Sequence, residues 1–342
     1  MDSNGLRKLP KVEFHRHLDG SVRFETILDL AKKNAIDLGH KSDAELLART
    51  KIISPMKDLA AVLDTFWTTQ KVMCNYEAIR RVAFENVEDC FFDGVKLAEL
   101  RFAPVFMAHG KKLSHDEIFE GILDGIKAGA DKYNIHVGAI VILARSLPVE
   151  ENAKATDDTI RYARGNHPLR DYIVGFDLAD LEDKIAPEIY APLVEKARKA
   201  GLGITIHSGE NTSAQSVITA IETYHAQRIG HGIKVWGDEK AMNLLKERDI
   251  PLEVCPTSNW LTNSVKSLES HPLPLLLKAG VPLSINSDDP HLMNIDLTNE
   301  YQVCHRLYGL TAGDFKSINK NSVHHSFLNG DVKADVLKKY FS

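Results

Sequence analysis

The chain has 342 residues, 44% of them hydrophobic and 26% charged, enough to bury one large core or two ordinary ones. No window approaches the roughly 18 consecutive apolar residues of a spanning helix, and the start "MDSNGLRKLPKVEF" lacks the apolar stretch of a secretory leader, so the reading is a cytoplasmic protein with no membrane role. A formal net charge of −5 argues against a surface built to coat nucleic acid, and the four cysteines (Cys74, Cys90, Cys255, Cys304) form no C-x-x-C pair, which leaves four reduced thiols and neither a disulfide framework nor a zinc ribbon.

In chain order, runs rich in Val, Ile, Leu or Phe predict strands at 11–18, 95–105, 136–144, 172–179, 203–210, 227–232, 251–259 and 281–290. Most are separated by stretches of helical period, and about eight such units predict an α/β fold of the closed (β/α)8 TIM type. A long helical insertion, about 25–94, lies between the first two strands. Within it Leu59, Val62, Leu63, Phe66 and Trp67 fall at i, i+3, i+4, i+7 and i+8, which suits a helix packed on the barrel or an apolar lid over its mouth. The tail after Pro290 reads as helices that finish the fold. Without a Gly/Pro/Ser-rich linker or a repeat, 1–342 is one domain, and no glycine-rich nucleotide loop opens any helix.

The chemistry collects at strand ends. "VEFHRHLDG" closes the first strand, and residues two apart share a face, so His15 and His17 point the same way as a possible metal pair. Polar groups recur at three later ends: His207 and Glu210 in "HSGE", His231 in "RIGHG", and Asp288 and Asp289 in "NSDDP". Singly, each has an ordinary explanation as a core histidine or a helix cap. In a barrel they meet at one mouth, and two adjacent buried carboxylates need a cation or donor beside them. A metal-dependent hydrolytic site is therefore expected. The other histidines among the 15, His271 included, sit in helical, turn or otherwise unconvergent positions and read as structural or surface residues.

These four runs, in this order, resemble the adenosine deaminase family of the metal-dependent amidohydrolases, from "LPKVEFHRHLDGS" to "NKNSVHHSFL". The resemblance implies a (β/α)8 barrel holding one zinc ion on His15, His17, His207 and Asp288. It implies Glu210 as the proton-transfer residue, His231 and Asp288 beside the attacking water, and His17, Asp19, Asp180 and Asp289 facing the substrate. The implied reaction is hydrolytic deamination of adenosine or 2′-deoxyadenosine to inosine or deoxyinosine and ammonia, in purine salvage. Dinuclear relatives carry a lysine at the end of strand four, where "GFDLAD" has none, so one metal is expected.

Two positions depart from the family pattern. Asp180 stands where a glycine N–H meets the purine, and Ala103 where a serine-like residue is usual. A rival within the class is an adenine or modified-adenosine deaminase, but that adenine branch resembles H-x-H-L-E-G and R-I-D-H-G. Here "HRHLDG" and "RIGHG" favour a nucleoside whose sugar meets Asp19. A non-catalytic purine-binding protein on the same fold is the alternative from another class.

Overall fold

The computed structural model describes residues 1–182 and 186–342. Eight parallel strands follow one another around the sheet in sequence order: β1 (Lys11–His17), β2 (Val95–Phe102), β3 (His136–Ala144), β4 (Ile173–Ala179), β5 (Gly203–Ser208), β6 (Arg228–His231), β7 (Leu252–Val254) and β8 (Leu283–Ile285). The ring closes where Arg16 and Asp288 form a parallel bridge. There the His17 N–H donates to the Asp288 carbonyl at 2.9 Å and the Asp288 N–H to the His15 carbonyl at 2.8 Å. Helices fill the connections, giving the expected TIM-type barrel.

Several strands stop short of the apolar runs that announced them. In 95–105 and 251–259 the reason is proline: Pro104 and Pro256 cannot donate to a ladder, and each takes the first turn of a short helix, Pro104–Ala108 and Pro256–Leu261. The run 281–290 leaves its ladder after Ile285, so "NSDDP" is loop, with Asp288 at φ 62°.

β1 is not a simple alternating strand. Glu13 pairs with Ala98 and Arg16 with Leu100, so β1 holds one residue more than β2 over that stretch. Such a bulge re-aims side chains. Phe14 lies against the Arg228 guanidinium, 4.3 Å from its ring centroid, while His15 Nδ1 meets Glu253, to which Arg228 also donates. Consecutive residues thus reach one interior.

The two ends of the barrel are closed differently. The tail forms helices Leu297–Tyr308, Ala312–His325 and Gly330–Tyr340, and Val323, Leu328, Val336 and Phe341 pack on Val12, Phe14 and Leu97 at the end where the strands begin. Between β1 and β2 come helices Phe24–Lys33, Asp43–Thr50, Leu59–Val72 and Tyr76–Phe92. Asp58 caps the third of these, accepting from the Ala61 N–H. Its apolar stripe does two jobs: Val62 and Phe66 pack on Leu261, Leu292 and Met293, while Leu59, Leu63 and Trp67 join them in facing a cavity at the opposite mouth. Among the described residues no helix is long and apolar enough to cross a membrane.

Candidate active site

At the C-terminal ends of the strands the ligand atoms of His15, His17 and His207 lie within 4.8 Å of one another. Asp288 Oδ1 stands 3.3 Å from both His15 Nε2 and His17 Nε2. His15 is fully buried, and its Nε2 has no hydrogen-bond partner. Burial, with Arg101 beside it, holds the His15 imidazole down to about 4, so the ring is neutral and one of its nitrogens offers a lone pair. His15, His231 and Asp288 form a second such group, so imidazole nitrogens and a carboxylate stand together as a donor set that suits a divalent metal.

Carboxylates behind the cage aim two of the rings. His15 Nδ1 lies 2.9 Å from Glu253 Oε2, and His207 Nδ1 lies 2.9 Å from Asp177 Oδ2. Each carboxylate fixes its ring's tautomer and turns the other nitrogen to the cage. Arg101 holds both, donating to Asp177 at 2.8 Å and to Glu253 at 2.7 Å, and Arg228 donates to Glu253 at 2.7 Å while its Nη2 stands 2.7 Å from Glu99 Oε2 as an ion pair. Burial alone would raise Asp177 and Glu253, but His207 and Arg101 outweigh it for Asp177, and Arg101 and Arg228 for Glu253, so both stay below the usual carboxylate range. Glycine makes the room: a Cβ on Gly230 would stand 3.1 Å from His15 Cε1 and from His207 Cα.

Beside the cage, His231 Nε2 lies 3.6 Å from Glu210 Oε2 and 3.8 Å from Asp288 Oδ2. Glu210 Oε1 accepts from the hydroxyls of Thr262 at 2.8 Å and Ser264 at 3.2 Å. The turn that carries Glu210 is itself gripped by Glu182, which accepts from the N–H groups of Gly209 at 2.6 Å and Glu210 at 2.9 Å and from the Thr212 hydroxyl. Burial, then the neighbouring Asp288, Asp19 and Glu210 carboxylates, pushes the Asp289 carboxyl well above its usual range. Burial also lifts Asp19 to about 6, and Asp19 accepts from Gln70 Nε2 at 2.6 Å. These groups share a cavity of about 260 Å³ whose other wall is apolar, with Phe66, Trp67, Phe106 and Ile142. His231, Asp288 and Asp180 adopt left-handed φ of 59°, 62° and 78°, a conformation that costs a side-chain-bearing residue roughly 1–2 kcal/mol and marks a backbone bent for the site.

The model of the adenosine deaminase family matches residues 10–341. An adenosine deaminase of Clostridium botulinum (strain Loch Maree) is 37% identical over 335 residues, covering 98% of each chain. One from Yersinia pseudotuberculosis is 35% identical over 334 residues, again covering 98% of each. The chain belongs to the adenosine deaminase family. As a member of that family it is a hydrolase acting by deamination. Among solved structures, an adenine deaminase of Arthrobacter aurescens superposes with a TM-score of 0.89 at 24% identity, covering 97% of this chain and 98% of its own. An amidohydrolase of Burkhoderia ambifaria with bound Zn reaches 0.87 at 23% identity, covering 99% and 91%. An Arabidopsis N6-mAMP deaminase reaches 0.85 at 24% identity, covering 98% and 99%. At these identities the three share the barrel.

In this adenosine deaminase family member every residue singled out from the sequence lies at the one mouth: His15, His17, His207 and Asp288 in the cage, Glu210, His231 and Asp289 beside it, Asp19 and Asp180 on the cavity wall. The Asp180 carboxylate is occupied in its own turn, accepting from the Ser146 N–H at 3.0 Å, the Ser146 hydroxyl and the Leu181 N–H at 2.7 Å. Ala103 joins Ile142, Ala179 and Phe106 in an apolar patch. His271, read as structural or surface, is a buried histidine that contacts Asn259, which in turn contacts His231. Arg101, Asp177, Arg228 and Glu253 were also passed over. Their signal was a charge inside an otherwise apolar run, as in "LAELRF" and "PLEVC".

Proposed function

We propose that the protein hydrolyses adenosine and 2′-deoxyadenosine to inosine and deoxyinosine with release of ammonia, using one zinc ion held by His15, His17, His207 and Asp288. The observation that carries the reading is the convergence of the unpartnered His15 nitrogen, the other cage ligands, Glu210 and Asp289 on one largely apolar cavity. Zinc in that cage would lower the pKa of a water towards about 7 and so supply the nucleophile at neutral pH. Glu210, fixed by two hydroxyls, would hand a proton to the purine ring nitrogen as the water oxygen adds to the amino-bearing carbon. Asp289, whose carboxyl is pushed upward by burial and its acidic neighbours, would donate an O–H to the purine edge. The Asp180 backbone N–H remains available to the ring, because its carboxylate is turned to Ser146 and Leu181. The proton still on the added oxygen would then pass, by way of the neighbouring carboxylates, to the amino group, which leaves as ammonia as the C–N bond breaks and the 6-oxo group forms.

Asp19, anchored by Gln70 on the wall of the cavity, supports a nucleoside whose sugar hydroxyl it would accept. Among the described residues the cavity is lined by no lysine or arginine, while Asp19, Asp180 and Glu182 line it. That charge pattern opposes a monophosphate such as the substrate named for the Arabidopsis neighbour. A role in purine salvage within the cytoplasm accords with this substrate class. Ammonia release across adenosine, deoxyadenosine, adenine, AMP and N6-methyl-AMP, with metal analysis of the same sample, tests the proposal. The nucleosides should be turned over best with about one zinc per chain, and a preference for adenine or a nucleotide would overturn it.

A further inference from the structure

The helix Pro256–Leu261 after β7 carries Asn259, whose side chain is fully buried between two imidazoles. Its Nδ2 lies 3.1 Å from His231 Nδ1 and its Oδ1 3.2 Å from His271 Nε2, while the Leu273 N–H donates to His271 Nδ1 at 3.0 Å. The last bond gives the chain a direction, because a backbone N–H can only donate. His271 Nδ1 is therefore an acceptor, and burial, which holds this imidazole down to about 3, keeps the ring neutral. Its one ring proton sits on Nε2 and is donated to Asn259 Oδ1. With its oxygen so committed, Asn259 turns its NH2 to His231, whose Nδ1 must accept. The neutral His231 ring then carries its proton on Nε2, the nitrogen that faces Glu210 and Asp288.

We propose that Asn259 and His271 are positioning residues that lock His231 in its Nε2–H tautomer, so that His231 meets the reacting oxygen as a hydrogen-bond donor and not as a base. The inference rests on the deaminase reading above for the identity of that oxygen. A second proton on His231 would have to sit on Nδ1, face to face with the Asn259 NH2. Proton acceptance therefore falls to the carboxylates that share the site.

The test combines ring-nitrogen NMR with kinetics on the zinc-loaded enzyme. With histidine ¹⁵N-labelled and the His231 signals assigned by their loss in His231→Gln, the wild type should show an unprotonated Nδ1 and a protonated Nε2. Asn259→Asp replaces the donor by an acceptor and should move the proton to Nδ1, lowering kcat by on the order of 10²-fold or more while KM stays within about threefold. His271→Gln keeps a donor near Asn259 and should hold kcat within about threefold, whereas His271→Phe should lose about tenfold or more. A wild-type His231 protonated on Nδ1 would overturn the proposal whether or not the variants fold, and so would an Asn259→Asp enzyme with normal kcat. Failure of the wild type to release ammonia from any purine would sink the deaminase reading alone, since the NMR signals report the tautomer without turnover.

Discussion

Asp289 rests directly on Gly20: a Cβ built on that glycine would stand 1.8 Å from Asp289 Oδ1 and 2.7 Å from its Cβ. Because the clash reaches the aspartate's own Cβ, rotating the carboxylate cannot relieve it. Gly20→Ala should therefore displace Asp289 by several tenths of an ångström or more. If Asp289 holds the purine edge, kcat/KM for adenosine should fall by on the order of 10²-fold with metal content unchanged. Steady-state kinetics beside metal analysis checks this, and a normal rate would detach Asp289 from the substrate.

Glu210 Oε1 is held by Thr262 and Ser264, which leaves Oε2 towards His231 and the cavity. Glu210→Gln keeps that shape and removes the transferable proton. Turnover should drop by about 10²–10⁴-fold, with KM little changed and zinc retained. Single-turnover assays on the metal-loaded variant would show the loss in the chemical step, and a near-wild-type rate would remove Glu210 from proton transfer.

What the sequence disclosed were the residues that face the cavity, because polar groups at the ends of apolar runs are visible locally: His15, His17, His207, Glu210, His231, Asp288 and Asp289 all stand out this way. What it hid was pairing. Arg101 and Glu253 are 152 residues apart and Asp177 is 76 from Arg101, so nothing in the local pattern says that these charges neutralise one another inside the barrel. The β1 bulge was equally silent, since a one-residue mismatch against β2 is a property of two strands and not of either. The contact between His271 and Asn259 was hidden too, because Asn259 lies in a run predicted as strand that gave no hint of a short helix begun by Pro256.

Arg101 is fully buried between Asp177 and Glu253, the two carboxylates that aim His207 and His15. Arg101→Leu would leave Asp177 without its arginine partner and Glu253 with Arg228 alone. Removing one member of a buried ion network costs roughly 3–5 kcal/mol, and loosening the groups behind metal ligands weakens metal affinity by about 10–100-fold. Denaturant unfolding and zinc titration should show both losses together. A variant with wild-type stability and zinc affinity would mean that the network carries no such tension.

Glu300 is buried in the helix Leu297–Tyr308, accepts the Thr257 N–H on Oε2 at 3.1 Å and leaves Oε1 without a partner. Burial pushes its carboxyl up to about 8, against the opposing pull of the Thr257 hydrogen bonds. A raised carboxyl pKa means that the folded chain keeps a proton which the unfolded chain has already released, so stability falls as pH climbs from about 4.3 towards about 8. The stabilising effect of a neutral Glu300 is therefore complete below that window and lost above it. Glu300→Gln cannot ionise, so its stability relative to wild type should rise steadily across the window, to a difference on the order of a few kcal/mol at its upper end. Urea midpoints measured from pH 4.5 to 8.5 on zinc-loaded samples would show the two curves diverging, whereas parallel curves would mean that Glu300 is ionised in the folded protein throughout.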